Sequence, residues 1–225
     1  MIVAITGTNT DVGKTVATAA LASVLKSKGV DVVAAKPIQT GEAPGEGDAS
    51  TVERLAGIET FERWRYPEPL APNLAARRAG IATPPLQEVA EWVRSLDAPD
   101  RVVLVEGAGG LLVRLADDYT LADLASALAA PLVVVTSLGL GSLNLAELTC
   151  VQARQRGLAV LGLIGGIMPE NPDLPTRLNI EELSQVTGAP LWGSIPAGAG
   201  SLNQREFAQV AASALDAAQV LAAFR

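Results

Sequence analysis

Short runs of valine, isoleucine and leucine recur at residues 2–6, 32–35, 102–105, 132–136, 158–164 and 191–195, each nearly continuous instead of alternating with polar residues. Runs of this kind suit strands buried on both faces of a parallel sheet. Between them, residues 14–28, 86–96, 120–129, 143–156 and 203–224 place apolar side chains three and four apart, the spacing of one buried helix face. The alternation predicts βαβ units, hence an α/β fold with a doubly wound, mostly parallel sheet and helices on both faces. Gly29 and Gly157 stand where glycines end helices, and the next strand follows each. Residues 65–85 hold five prolines and show no period, which predicts a long surface loop able to cover a site.

Composition narrows the picture. At 225 residues and 49% hydrophobic the chain can bury one sizeable core, read as a single domain over residues 1–225. The longest apolar stretch, residues 158–168, is too short for a membrane span and holds three glycines. The first strand begins at residue 2 without the basic flank of a signal peptide, so a cytoplasmic protein is expected. A net charge of −7 and 4% aromatics oppose a nucleic-acid or anionic-membrane surface. One cysteine and no histidine exclude disulfides, structural zinc and every histidine-based mechanism. Carboxylate, lysine and hydroxyl chemistry remains.

The first strand leads into Gly7-Thr8-Asn9-Thr10-Asp11-Val12-Gly13-Lys14-Thr15 and then an alanine-rich helix. Strand, glycine-containing turn and helix N-terminus come in the order a phosphate cradle requires. Backbone N–H groups over Asn9, Thr10, Asp11, Val12 and Gly13 and the helix dipole attract phosphate oxygens, Lys14 reaches the outer phosphates, and the Thr15 hydroxyl can ligate magnesium. Val16 follows with no hydroxyl to extend this nucleotide-binding set, and Met1 stands ahead of the first strand. Thr8 stands where the usual pattern has its first glycine. No Asn-Lys-x-Asp motif is present, which disfavours a regulatory GTPase.

Phosphoryl transfer needs hard oxygen ligands for the metal and cations opposite the γ-phosphate. Glu106 ends the run at 102–105 and precedes Gly107-Ala108-Gly109-Gly110, and a buried glutamate there is costly unless paired or metal-bound. Lys36 ends the second strand in Lys36-Pro37-Ile38-Gln39-Thr40-Gly41; alone it reads equally as a solvated strand-edge lysine. Asp48, in Gly47-Asp48-Ala49, reads by itself as a helix N-cap.

Taken together, the segments at 7–15, 36–41, 47–49 and 105–110 resemble the successive signatures of the dethiobiotin synthetase family, in the same order, and Gly141-Ser142-Leu143-Asn144 also fits. The resemblance implies a homodimer that makes a cyclic urea from 7,8-diaminopelargonic acid, carbon dioxide and ATP, the penultimate step of biotin synthesis. It implies that Lys14 and Lys36 contact phosphate and carbamate, and that Thr15, Asp48 and Glu106 gather around Mg2+. Thr10, Asp11 and Thr40 would line the substrate site, with Gly109, Gly110 and Asn144 meeting the substrate carboxylate across the dimer interface. Where the family commonly places an adenine-reading asparagine, this sequence has Pro169 after Met168, with Asn171 two residues on. Relaxed base selectivity is therefore expected, with backbone groups near Pro196, Ala197 and Gly198 as a base shelf and other nucleoside triphosphates accepted. Two alternatives share the phosphate loop: a ParA- or MinD-like ATPase switch, whose second loop lysine is here Asn9, and a synthetase for another small acid.

Overall fold

The first apolar run forms strand β1, Ile2–Gly7, at the centre of a seven-stranded sheet in a computed structural model that describes residues 1–224. The other strands are β2 (Asp31–Thr40), β3 (Thr60–Tyr66), β4 (Arg101–Gly110), β5 (Leu132–Thr136), β6 (Val160–Met168) and β7 (Leu191–Pro196), in the order β3-β2-β4-β1-β5-β6-β7. Every neighbouring pair is parallel. The order reverses direction around β1, and such sheets place their ligands at the carboxyl ends of the strands beside that reversal.

Helices cover both faces. On one face lie α1 (Lys14–Ser27), α2 (Asp48–Ala56), α8 (Gln204–Ala214) and α9 (Ala217–Ala223), in one core with Val3, Ile5, Val32, Ala34, Val133 and Val135. On the other, α4 (Leu86–Ser95) packs on Val33 and Val103, α5 (Leu121–Ala127) on Ala4, and α6 (Ser142–Gln155) and α7 (Leu174–Thr187) on Val134 and Leu163. Adjacent strand residues thus enter opposite cores, so the apolar runs are continuous. Gly29 and Gly157 follow α1 and α6 with φ of 79° and 73°, as their positions predict.

The structure corrects several boundaries. β2 and β4 do not stop at Lys36 and Glu106 but run on to Thr40 and Gly110, because the polar side chains there find partners inside the protein. β3 carries no continuous apolar run: it is an edge strand whose residues are mostly half-buried, with only Trp64 and Tyr66 packed into the core around Ile38. Residues 65–85 are not one loop, since α3 (Pro72–Ala79) forms within them with Pro72 at its first position, where the missing N–H costs nothing. α7 went unread, although Asp173 caps it through the Thr176 N–H at 2.9 Å. The helix expected over 203–224 breaks where Leu215 turns extended and enters the core, and Asp216 then caps α9. Among the described residues no helix is long and apolar enough to cross a membrane.

Candidate active site

The turn after β1 wraps the N-terminus of α1. Gly13 precedes the helix with φ 91°, and no side chain caps it, so the first-turn N–H groups stay open for an anion. The loop rests directly on β6: a Cβ on Gly13 would lie 2.6 Å from the Gly166 carbonyl oxygen, and one on Gly166 only 1.7 Å from that of Val12. Two glycines on separate elements therefore set the height of the phosphate loop. Val12 is buried beneath it, and Lys14 Nζ points back to the Asn9 carbonyl at 3.4 Å. Burial, and then the nearby Lys36 ammonium, holds the Lys14 pKa below its ordinary value.

Facing this loop is a compact charged cluster. The Thr15 hydroxyl lies 2.7 Å from Asp48 Oδ1 and 2.9 Å from Glu106 Oε1. Lys36 Nζ sits 2.5 Å from Asp48 Oδ2 and 3.3 Å from Glu106 Oε1, and donates to the Gly107 carbonyl at 2.9 Å. Strand pairing brings the two buried charges together: Ala35 of β2 pairs with Val105 of β4, one residue before Lys36 and Glu106. Burial pulls the Lys36 pKa down, but the Glu106 and Asp48 carboxylates outweigh it and leave the ammonium above its ordinary value. For Glu106 burial wins and pushes the carboxyl up. At Asp48 burial pushes up, yet Lys36 and the Thr15 hydroxyl hold it below the usual range. Lys36 is thus a buried, paired cation, which removes the solvated-lysine alternative. Asp48 is the first residue of α2 and Gly47 its N-cap, so the capping alternative falls as well.

The cluster fits a magnesium ion on its own chemistry. Glu106 Oε2 is fully buried without a well-formed hydrogen bond among the described residues, with the Thr18 hydroxyl near enough only to favour its ionised form, and an oxygen so placed is costly unless something cationic meets it. Thr15, Asp48 and Glu106 offer only hard oxygens. No group of three acidic, histidine or cysteine side chains converges among the described residues. Magnesium does not require one, because it commonly takes one or two carboxylates and completes its shell with water and phosphate.

These groups line a cleft of about 780 Å³, which also takes in Thr10, Asp11, Gly13, Thr40 and Gly109. Asn9 and Gly110 lie instead on an adjoining groove of about 370 Å³, walled by Leu145 and Leu148 of α6, and Thr10 lines both spaces. Asn144, exposed on the first turn of α6, reaches neither. Pro196, Ala197 and Gly198 also lie outside the cleft lining, but the Ala197 N–H donates to the Met168 carbonyl at 2.7 Å, beside Ile167, which does line it. Met1 lies at the amino end of β1, away from the phosphate loop at the strand's other end, and its ammonium binds Asp97 at 3.1 Å. Position 16 holds Val16, an apolar lining residue of the cleft with no hydroxyl to offer. Gln39 was missed: buried in β2, it accepts the Asp48 N–H at 3.1 Å. The stretch from Pro69 to Pro72 forms one side of the cleft, as the proline-rich segment suggested. Gly166 was also overlooked as a support of the phosphate loop.

The AAA domain family matches residues 2–205. A ParA family ATPase from Chlorobium tepidum superimposes with a TM-score of 0.57 over 100% of this chain and 97% of its own, at 14% identity. The MinC:MinD cell division protein complex of Aquifex aeolicus gives 0.57 over 98% and 95%, also at 14%, so both likenesses are of fold. ATP-dependent dethiobiotin synthetase BioD of Corynebacterium diphtheriae is 59% identical over 209 residues, 93% of this chain and 94% of the relative. The enzyme of the same name from Rhodococcus jostii is 50% identical over 218 residues, covering 96% and 94%. Identity of this order across nearly the whole length means that the chain belongs to the dethiobiotin synthetase family, a branch of the P-loop NTPases.

Proposed function

We propose that this chain is an ATP- and Mg2+-dependent cyclo-ligase that carboxylates 7,8-diaminopelargonic acid with CO2 and closes the ring to dethiobiotin. The observation that carries the reading is the Lys36 ammonium, buried between Asp48 and Glu106 in the cleft that the phosphate loop and Lys14 also line. Condensing a carbamate with a triphosphate forces two anions together, and a cation fixed beside them counters that repulsion without reorganising in the transition state. One amine of the substrate takes up CO2 as carbamate. A carbamate oxygen then attacks the γ-phosphorus and releases ADP, giving a carbamic–phosphoric anhydride. The second amine attacks its carbonyl carbon, expels phosphate and closes the cyclic urea.

No protein nucleophile is needed, in keeping with the lack of histidine. Lys14 and the loop amides from Asn9 to Gly13 hold the phosphates, while Lys36 holds the carbamate against them. Thr15, Asp48 and Glu106 would bind Mg2+, which when present neutralises charge on the β- and γ-phosphates. Thr10 and Thr40 line the diamine's path. Gly109 and Gly110 would meet its carboxylate together with Asn144 of a second subunit, because Asn144 lies outside the cleft of its own chain. The enzyme is then a homodimer. Oxygen-labelled CO2 tests the route: one labelled oxygen should appear in the released phosphate and one in the urea. Dethiobiotin formed with unlabelled phosphate would contradict attack by the carbamate.

A further inference from the structure

The segment that carries Asp48 into the cleft has little to hold it. Residues 41–47 read Gly-Glu-Ala-Pro-Gly-Glu-Gly, with three glycines at φ of 79°, 85° and 125°. Glu42 to Glu46 are all exposed, and the one backbone hydrogen bond within the loop joins the Glu46 N–H to the Ala43 carbonyl. A glycine-rich, solvated connection of this kind has no core contact to offset its conformational entropy. Yet it must deliver the Asp48 carboxylate to within 2.7 Å of the Thr15 hydroxyl, and Glu42 lines the cleft itself.

Arg65 supplies the missing support. It lies on the edge strand β3, paired in register with Gln39 of β2. Its guanidinium donates to the carbonyls of Glu42 at 2.8 Å, Ala43 at 2.7 Å and Glu46 at 2.7 Å. Its remaining two N–H groups bind Glu62 in a bidentate ion pair at 2.7 and 2.8 Å, which fixes the fork. All five donors of the side chain are therefore used. Gln39, its cross-strand neighbour, accepts the Asp48 N–H, so this one pair of strand positions grips the loop along its length and at its end.

We propose that Arg65 is a positioning residue: it holds residues 42–46 from outside the cleft and thereby sets Asp48 for metal binding. This rests on the reading of Asp48 as a magnesium ligand. A lysine cannot replace it, since an ammonium has three donors and no planar fork to span three carbonyls and a carboxylate.

The test uses the full-length chain with Arg65→Met, Arg65→Lys and Asp48→Ala. A glutamate-specific protease reports loop closure directly, because the carbonyls of Glu42 and Glu46, which Arg65 holds, are the ones it must attack. Arg65→Met should be cut there at least about tenfold faster, with Arg65→Lys between it and the parent. The Mg2+ concentration for half-maximal activity at saturating ATP should rise about fivefold or more in Arg65→Met, with kcat at saturating metal changed far less. Unchanged cleavage in Arg65→Met overturns the anchoring role. Faster cleavage with an unchanged metal requirement, when Asp48→Ala does raise that requirement, overturns the link from loop to metal. An unchanged requirement in Asp48→Ala instead removes the ligand assignment, and the positioning role falls with it.

Discussion

The two walls of the cleft are built differently. The inner wall, from Gly13 to Thr15 with Lys36 and Glu106, belongs to regular elements of the sheet and its first helix, and its charged groups are buried. The outer wall comprises the loop at 41–47, the turn around Pro69 to Pro72 and the strand end at Ile167, and its residues are mostly exposed. Charges that must stay fixed sit where packing holds them, while the rest of the cleft is closed by exposed segments with little packing of their own. Arg65 and Gln39 are the exception: they tie a loop of the outer wall, and the carboxylate it carries, to the frame of the inner one.

The inner wall should fail hardest. Lys36→Ala is expected to cost a hundredfold or more in kcat, on the order of the loss of one transition-state donor. It also strands the Glu106 carboxylate in the interior, a loss of about 3 kcal/mol of stability by the usual cost of halving a buried pair. Adding Glu106→Gln should restore the melting temperature but not turnover. Parental turnover in Lys36→Ala would show that this buried cation serves folding alone.

Next comes the seat of the phosphate loop. A methyl group on Gly166 has no room against the Val12 carbonyl, so Gly166→Ala must lift the loop, at a cost of about a hundredfold in kcat/KM for ATP if the shift approaches 1 Å. Gly139→Ala, which meets nothing within 4 Å, is the control and should leave the constant unchanged. Equal values for the two variants would mean that β6 does not set the loop's height.

Pairing an inner-wall variant with one in the second subunit separates their contributions. Lys14→Ala and Asn144→Ala are each expected to be poorly active alone. Mixed after verified subunit exchange, random pairing gives half heterodimers with one intact site each, hence about a quarter of parental activity. No recovery would place both groups in one subunit's site. For the base, Pro169 offers neither a side-chain polar group nor an N–H, so kcat/KM for ATP should exceed that for CTP, GTP and UTP by less than about a hundredfold, a margin that a hydrogen-bonding site readily surpasses. A larger preference would mean that Asn171 or another group reads adenine.

The same contrast explains what the sequence disclosed. The phosphate loop and Glu106 are legible because each stands next to a continuous apolar run that a two-sided sheet demands. Lys36 ends such a run too, but alone it reads equally as a solvated lysine, and its burial between two carboxylates decides the matter. Asp48 was ambiguous alone, since an aspartate after glycine at a helix start satisfies a cap as well as a metal. Arg65 was illegible: its strand is a half-exposed edge with mixed polarity, and its partners lie on a loop whose approach depends on strand pairing. Gln39 was hidden for a similar reason, inside a strand that continues past Lys36 only because its polar side chains find partners there. The break at Leu215 escaped because the helical period carries through a residue that turns into the core.

The central claim, that the paired lysines and carboxylates couple ATP cleavage to ring closure on a diamine, is tested most directly by phosphate release. ATP and Mg2+ alone should give slow release, and 7,8-diaminopelargonate with bicarbonate should raise it sharply, with dethiobiotin and phosphate formed one to one. Release that ignores the diamine and bicarbonate, or that responds instead to DNA or lipid, would contradict the account.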